Sequence, residues 1–311
     1  MENLIISVNA VVPFLIYILL GAVAVKAQIA DETFLRRLNA VAFRVFFPFM
    51  MFNNIYNMDI SAIKGGYIIF GAGSLIALIV LLMIFVPVFV KGNPQRGVMV
   101  QAIYRSNSVI FAIPLAASVL GEEAAGMASM LVAVLVPIYN ISAVIILEYY
   151  RGKSASLGKL LVNILKNPLI IGAIFGIGFA LTPFTMPVCL SKPIGALGSL
   201  CTPLAMFVLG GTLHLSAIRK NLKYLVPGLA LKLVIVPLIV LLIMKPFNFS
   251  AAQIFAMFCM FATPVATSSY PMAASMDADG ELAGQFVVIS TVLSIITLFL
   301  WIYVLKTFGV I

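Results

Sequence analysis

Two segments, IPLAASVLGEEAAG at residues 113–126 and YPMAASMDADGELAG at residues 270–284, repeat nearly the same pattern about half a chain apart. Each segment places a proline and a run of small residues inside a stretch that is otherwise apolar. The two prolines, Pro114 and Pro271, are 157 positions apart. Other pairs recur with a spacing of 155 residues, namely Pro13 with Pro168, Gly21 with Gly176, and Pro48 with Pro203. These spacings predict that the chain is built from two repeats of similar structure.

The composition is that of a protein that crosses a membrane many times. Of the 311 residues, 63% are apolar and 9% are charged, whereas soluble domains contain about 25% charged residues. The mean hydropathy is +1.18. Because helices satisfy their own backbone groups in lipid, the long apolar runs predict an all-α membrane protein. Three scattered cysteines and one histidine, His214, predict neither a metal site nor a disulfide framework, and no cofactor is expected.

A window of about 20 residues predicts ten transmembrane spans, five in each repeat. They lie at residues 4–25, 38–57, 65–90, 95–120, 124–148, 167–182, 193–214, 223–245, 251–276 and 282–306. The first repeat therefore covers residues 1–150 and the second covers 167–311, with a basic linker at 151–166. The first apolar run is interpreted as a retained helix rather than a cleaved signal, since no basic residue precedes it.

The distribution of Lys and Arg predicts the orientation of the chain. Twelve of these residues fall in the loops after spans 1, 3, 5 and 7 or at their borders, and four fall on the opposite side. The positive-inside rule then places both termini outside the cytoplasm, and the protein is expected in a plasma membrane, such as the bacterial inner membrane. Since each repeat has an odd number of spans, the second repeat must insert upside down. The net charge of +9 is thus mainly a topological signal and needs no nucleic-acid partner.

Spans 4 and 9 are predicted to be discontinuous, because proline breaks a helix and both spans carry polar residues beside their prolines. Pro114 follows RSNSVIFAI, whereas Pro264 and Pro271 bracket VATSSY, and Asn107 corresponds to Pro264 at the spacing of 157. Irregular backbone at membrane depth is tolerated only against protein or a water-lined cavity. Inverted repeats with such helices are typical of secondary transporters, whose substrate sites lie near the midplane.

Several short motifs resemble those of the auxin efflux carrier family. They are the spacing from Asn107 to Pro114, Lys232 five positions before Pro237 in KLVIVP, LEYYRGK at the end of span 5, NPLIIGAIFG in span 6 and TPLAMFVLGG in span 7. The resemblance rests on their order and covers essentially the whole chain. The family includes plant auxin exporters and bacterial carriers of malate or malonate. The long cytoplasmic loop of the plant proteins is missing here, so nothing points to auxin.

The resemblance implies a fold of ten helices with two crossed, broken helices, as in bile-acid symporters and sodium/proton antiporters. It also implies a scaffold of residues 1–60 and 167–218, often dimeric, beside a moving transport domain of residues 61–150 and 219–311. In such an arrangement the transport domain moves against the scaffold in an elevator-like motion. A homodimer through the scaffold spans is therefore expected.

The ionisable residues within the spans favour an anionic substrate. Arg105 and Lys232 are predicted roughly 15 Å inside their span boundaries and Arg44 roughly 10 Å, while no Asp or Glu is comparably deep. Deep charges in membranes are costly and usually functional. Two cations without anions invite a carboxylate, and half-helix N-termini would add positive potential. The alternative is that these cations bond exposed carbonyls at a helix break or extend to an interface, which is the favoured interpretation of Arg44.

The predicted substrate site combines these cations with the polar residues around the two breaks. Arg105 or Lys232 would neutralise the carboxylate, neighbouring hydroxyl and amide groups would donate hydrogen bonds, and Tyr270 would pack against the ligand. Asn140 would face the same cavity or bond a neighbouring helix. The complete set of candidates is Arg105, Asn107, Ser108, Ile113, Pro114, Asn140, Lys232, Thr263, Pro264, Thr267, Ser268, Tyr270 and Pro271.

The function that these features favour is a secondary carrier of small organic anions that works by alternating access. A transporter-like channel or sensor, and a cation-coupled symporter of another substrate, are the alternatives. Coupling to protons, to sodium or to neither stays open at this point. The chain contains no H-E-x-x-H or G-x-S-x-G motif and His214 has no nearby histidine, so an intramembrane enzyme is not expected.

Overall fold

The fold is known from a computed structural model, which describes residues 2–57, 65–152, 157–182, 185–213 and 218–311. The first half of the chain forms α1 (Glu2–Lys26), α2 (Glu32–Val41), α3 (Phe47–Tyr56), α4 (Gly66–Phe89), α5 (Asn93–Tyr104) and α6 (Ser108–Arg151). A linker helix, α7 (Leu157–Leu165), follows. The second half forms α8 (Pro168–Ala180), α9 (Val188–Ser199), α10 (Cys201–Thr212), α11 (Ile218–Ala230), α12 (Val236–Met244), α13 (Ala251–Ala262), α14 (Ser269–Ser275) and α15 (Gly280–Thr307). Residue His214 lies outside the described ranges.

The described helices include several that can cross a membrane by length and composition. Five helical stretches are long and apolar enough, namely Gly66–Phe89, Ser108–Arg151, Val188–Thr212, Ile218–Met244 and Gly280–Thr307. Shorter apolar helices occur at Val12–Lys26, Pro168–Ala180 and Ala251–Ala262. The all-helical, multi-pass character expected from the composition is therefore confirmed for the part of the chain that the structure describes.

The two halves pack against each other through equivalent close contacts of glycine. A Cβ atom on Gly21 of α1 would lie 1.9 Å from the carbonyl oxygen of Phe207 in α10. A Cβ on Gly176 of α8 would lie 3.0 Å from the carbonyl oxygen of Phe52 in α3. Residue numbers 21 and 176, and 52 and 207, each differ by 155, which is the spacing of the repeated prolines and glycines. The same contact is thus made twice with the halves exchanged, as a duplication requires.

Proline shapes two of the helices by forcing a wider, π-helical turn just before it. One turn spans Ala42–Phe46 ahead of Pro48, and the other spans Leu231–Ile235 ahead of Pro237. Pro237 has no N–H to donate to the carbonyl of Leu233 one turn earlier. The indole Nε1 of Trp301 donates to this oxygen instead, at 2.9 Å. The freed carbonyl therefore stays satisfied inside the protein, as it must away from water.

Both predicted discontinuous helices are interrupted, but not at the prolines of the repeated segments. The first interruption comprises residues 105–107, between α5 and α6, and the second comprises residues 263–268, between α13 and α14. Pro114 lies well inside α6, and Pro271 lies in the first turn of α14, where proline is tolerated because its missing N–H would have no helical partner. The prediction that Pro114 and Pro271 break the helices is therefore corrected. The first interruption lies about two helical turns before Pro114.

The repeated segments instead mark where the second half of each interrupted helix ends. Gly121, within Ser108–Arg151, has φ 79° and ψ −167°, so the stretch turns there into the following helix. Asp277, just after α14, has φ 57°. A positive φ is costly for most residues but not for glycine. The small residues of LAAS and MAAS thus belong to helix, and the sharp turn comes after them.

The close approach of α1 and α10 can be tested by adding one methyl group. A Cβ on Gly210 would lie 1.9 Å from the carbonyl oxygen of Ile18, which is fixed backbone. We expect Gly210→Ala to lower the free energy of unfolding by about 1–3 kcal/mol, as overpacking does. Gly178→Ala is the matched control, since nothing lies within 4 Å of its Cβ position. Thermal unfolding in detergent measures both, and equal midpoints for the two variants would contradict the close helix contact.

Candidate functional site at the paired interruptions

The two interruptions satisfy each other's backbone groups. The N–H of Asn107 donates to the carbonyl oxygen of Pro264 at 2.8 Å, and the N–H of Ala266 donates to that of Arg105 at 3.3 Å. This pairing is antiparallel and centres on Ser106 and Val265. The N–H of Val265 donates to Oγ of Ser290 on α15, at 3.1 Å. Backbone groups that left their helices therefore find partners in the other interruption or in a neighbouring helix.

Lys232 supports this pairing from a fully buried position. Its side chain has 0% exposure, and its ammonium donates to Oγ of Ser106 and, at 3.2 Å, to the carbonyl oxygen of Phe261. Phe261 lies in the last turn of α13, where unpaired carbonyls give a helix its negative end. The contacts of Lys232 therefore match the alternative interpretation of the deep cations, in which the cation bonds an exposed carbonyl at a helix break. It does not line the cavity described next.

Arg105 is the other deep cation, and its partners are neutral. It has 1% exposure, yet its guanidinium reaches the oxygen of Asn140 and donates to Oγ of Ser268 at 2.8 Å. A third contact joins Nη1 to the sulfur of Met272 at 2.9 Å. No carboxylate bonds it in the described part of the chain. A buried charge without a counter-ion is costly, so the position favours an anionic partner.

A cavity of about 170 Å³, here called the polar cavity, opens beside this guanidinium. It brings together six of the predicted residues: Arg105, Asn107, Ser108, Asn140, Thr267 and Ser268. Two buried polar atoms in its wall have no hydrogen-bond partner, Nδ2 of Asn107 and Oγ of Ser108. Both residues stand at the N-terminus of α6, where unpaired N–H groups and the helix dipole favour negative charge. The cavity therefore offers one cation and several donors to a small ligand.

The opposite wall of the polar cavity was not predicted from the sequence. It consists of Met50, Asn54, Gly198, Ser199 and Thr202, which lie on α3, α9 and α10. Gly198 allows α9 to approach α3 closely, because a Cβ there would lie 2.8 Å from Nδ2 of Asn53. Single uncharged polar residues do not stand out in an apolar sequence. The one usable signal was Pro203, a repeated proline directly after Thr202.

The remaining predicted site residues lie elsewhere. The hydroxyl of Tyr270 bonds that of Thr212 at 2.6 Å, and Tyr270 lines a different cavity. Thr263 is fully buried, and its hydroxyl is unpaired but not in the polar cavity wall. Pro264 contributes its carbonyl to the pairing. Ile113 is half-buried, Pro114 is exposed and Pro271 is buried, all away from the cavity wall.

An apolar barrier separates the polar cavity from a larger, basic one. The barrier consists of the buried residues Phe47, Met51, Ala143, Val144, Leu147 and Met272. Along α6 the chain passes from Asn140 in the polar cavity, through the barrier, to Glu148 in the basic cavity of about 610 Å³. The α14 region passes in the same order from Ser268 to Ser275. Buried apolar residues of α3, α6 and α14 therefore lie between the two cavities.

Comparison with known proteins agrees with these features. A family model described as membrane transport protein matches the chain twice, over residues 6–157 and 153–302. The chain belongs to the auxin efflux carrier family. The two matches together cover nearly all of both repeats, and a transporter family supports transport rather than enzymatic activity. No curated protein matches the chain significantly.

The pairing of the interruptions can be tested at Ser290, which is fully buried and accepts the N–H of Val265. We expect Ser290→Ala to cost about 1–3 kcal/mol, because it leaves a buried N–H without a partner. Ser129→Ala is the control, since Ser129 is exposed and bonds only the carbonyl of its own helix. Thermal unfolding in detergent compares the two, and a neutral Ser290→Ala would show that the second interruption is held by other contacts.

Proposed function

We propose that this member of the auxin efflux carrier family carries small organic anions, specifically carboxylates, by alternating access. The observation that carries the proposal is the buried guanidinium of Arg105, bonded only to neutral atoms at the wall of the polar cavity. A carboxylate would replace neutral partners by a charge-assisted, bidentate pair. Asn107 and Ser108 would donate to the same oxygens through atoms that now have no partner.

The volume of the polar cavity favours a small substrate. Pockets for drug-sized ligands measure about 300–1,000 Å³, whereas this one measures about 170 Å³. A short mono- or dicarboxylate fits that space better than a large aromatic acid. The wall away from Arg105 carries Asn54, Ser199 and Thr202, which could bond a second polar group of the substrate.

The transport cycle would be an elevator-like motion of one domain against another. The polar cavity lies between α3, α9 and α10 of the proposed scaffold, residues 1–60 and 167–218, and the interruptions of the proposed transport domain, residues 61–150 and 219–311. Movement of the transport domain, which itself includes Ala143, Val144, Leu147 and Met272 of the barrier, would carry Arg105 and its ligand past the scaffold residues Phe47 and Met51. Buried apolar residues between the two cavities argue against a permanently open channel, which was one of the alternatives.

The membrane arrangement proposed with this mechanism has ten spans, two of them crossed at the paired interruptions. Both termini would lie outside the cytoplasm of a plasma membrane, and the basic cavity, with Arg36, Arg151 and Lys166 in its wall, would face the inner side. A homodimer through the scaffold spans completes the proposal.

Coupling to a cation finds little support in the polar cavity. Among the described residues, no Asp or Glu lines the polar cavity. Glu148 is the one buried carboxylate of these residues, and it lies in the wall of the basic cavity, on the other side of the barrier. Proton exchange usually needs such a group within the site. The proposal is therefore uniport driven by the substrate gradient and the membrane potential, with no requirement for sodium.

Carboxylate uptake into proteoliposomes tests the role of Arg105. We expect Arg105→Gln to reduce counterflow of a labelled short dicarboxylate by about tenfold or more, since a charge-assisted pair contributes well over 1 kcal/mol. Arg219→Gln removes the same charge from an exposed position outside the polar cavity and should leave counterflow unchanged. Equal rates for Arg105→Gln and the unmodified protein would refute the assignment. Rates that depend on a sodium gradient would refute uniport.

Cysteine labelling tests the two-sided arrangement. In a Cys189→Ser background the two remaining cysteines, Cys201 and Cys259, are buried. Without substrate, we expect Thr202→Cys to react with a membrane-impermeant thiol reagent added outside, and Ser275→Cys to react with reagent added inside. A carboxylate substrate should slow labelling at residue 202, because Thr202 lines the polar cavity. Labelling of both positions from one side only would contradict a barrier between the cavities.

A further inference from the structure

The basic cavity carries more positive charge than topology alone requires. Its wall contains four cations, Arg36, Arg44, Arg151 and Lys166, and a single acid, Glu148. The positive-inside rule asks only that Lys and Arg lie near the inner ends of the spans. Here they converge on one space of about 610 Å³ from α2, α6, the turn before α3 and the residues before α8.

The acid in this cavity is already engaged. Glu148 accepts from Arg151 at 3.3 Å and from Nδ2 of Asn163 at 2.8 Å. Arg151 also pairs with Asp277 at 2.9 Å, and Arg36 pairs with Glu32 at 3.3 Å. Arg44 and Lys166 have no ion pair or hydrogen bond through their side chains to any described residue. As far as the described residues show, Arg44 and Lys166 are therefore available to bind an anion.

Two further features point into the same space. The N-terminus of α8 borders it through Asn167 and Pro168, and the positive end of a helix attracts anions. Asn39, also in the wall, is 5% exposed, donates to Oγ of Ser275 at 3.0 Å and leaves its own Oδ1 without a partner. A fitting ligand would direct anionic oxygens to Arg44 and Lys166 and a hydroxyl to Asn39.

We propose that the basic cavity is a second anion site, independent of Arg105, which binds a phosphate-type oxyanion through Arg44 and Lys166. A soluble phosphate and the headgroup of phosphatidylglycerol share this chemistry, and the headgroup also supplies hydroxyls. Arg44 belongs to the proposed scaffold and Ser275 to the proposed transport domain, whereas Arg151 and Lys166 are the first and last residues of the linker. An anion bound by Arg44 and Lys166 would therefore join the scaffold to the linker beside the transport domain and stabilise this arrangement, a consequence that rests on the proposed function.

Thermal unfolding of the full-length protein in detergent tests for the site. Reaction of a thiol-specific fluorophore with the buried Cys201 and Cys259 reports unfolding in a Cys189→Ser background. We expect sodium phosphate to raise the midpoint above that in sodium chloride of equal ionic strength. In the double variant Arg44→Gln with Lys166→Gln, the phosphate concentration that gives half of the midpoint shift should rise by roughly tenfold or more, as expected for two lost charge-assisted bonds.

Three control proteins make the result specific. Arg44→Lys with Lys166→Arg keeps both charges and should keep the phosphate response. Lys91→Gln removes an exposed charge outside the cavity and should also keep it. Arg105→Gln should keep it too, since Arg105 lines the other cavity. A response that survives in the double glutamine variant, or disappears in Arg105→Gln, would overturn the second site.

Nanodiscs distinguish the two sources of the anion. If a lipid headgroup occupies the site, phosphatidylglycerol in a phosphatidylcholine bilayer should raise the midpoint without added phosphate, and only when Arg44 and Lys166 are present. If a soluble anion occupies it, phosphate should act equally in both bilayers. No response to either ligand would overturn the proposal. If Arg105→Gln still lost counterflow in that case, the proposed function would stand while this second site would be refuted.

Discussion

The structure depends on one requirement, that backbone groups released from helices far from water must find partners within the protein. Residues 105–107 and 263–268 meet it largely through each other, by two hydrogen bonds between the repeats. Side chains from other helices supply further partners: Ser290 accepts the N–H of Val265, and Lys232 donates to the carbonyl of Phe261. Because these partners come from both halves of the chain, the position of the polar cavity is fixed by the pairing and not by any single helix.

The two deep cations, Lys232 and Arg105, carry the same charge, but their surroundings give them different roles in the structure. Lys232 donates to Ser106 and to the carbonyl-rich end of α13, so its charge has a helix dipole to stabilise it. Arg105 has neutral partners and lies in a cavity wall beside the positive end of α6. Removing water from such a charge is unfavourable unless an anion arrives. The π-helical turn before Pro237 helps to explain the difference between the two cations. Lys232 lies in this turn, and its ammonium reaches Ser106 in the pairing.

The all-helical, multi-pass character and the helices that carry the interruptions were predictable from the sequence, because hydropathy indicates apolar helices and the repeated prolines indicate which of them are irregular. The interruptions were expected in the correct helices but were assigned to Pro114 and Pro271, which lie within helices. Proline constrains only its own turn, whereas the chain leaves the helix where polar groups of the other repeat are available. The wall formed by Asn54, Ser199 and Thr202 was missed for a related reason. These residues come together only through tertiary packing, which cannot be inferred from single residues in the sequence.

The exchanged glycine contacts have a consequence for the origin of the fold. Gly21 meets the backbone of Phe207, and Gly176 meets that of Phe52, so each half offers the surface that the other half accepts. Under the proposed inverted arrangement, an unfused ancestor resembling one half would have made the same contact with a second copy inserted in the opposite direction. Such an ancestor would have needed nearly balanced Lys and Arg on its two sides. Fusion would then have freed each half to acquire its own charge bias, and Arg105 and Lys232 their separate roles.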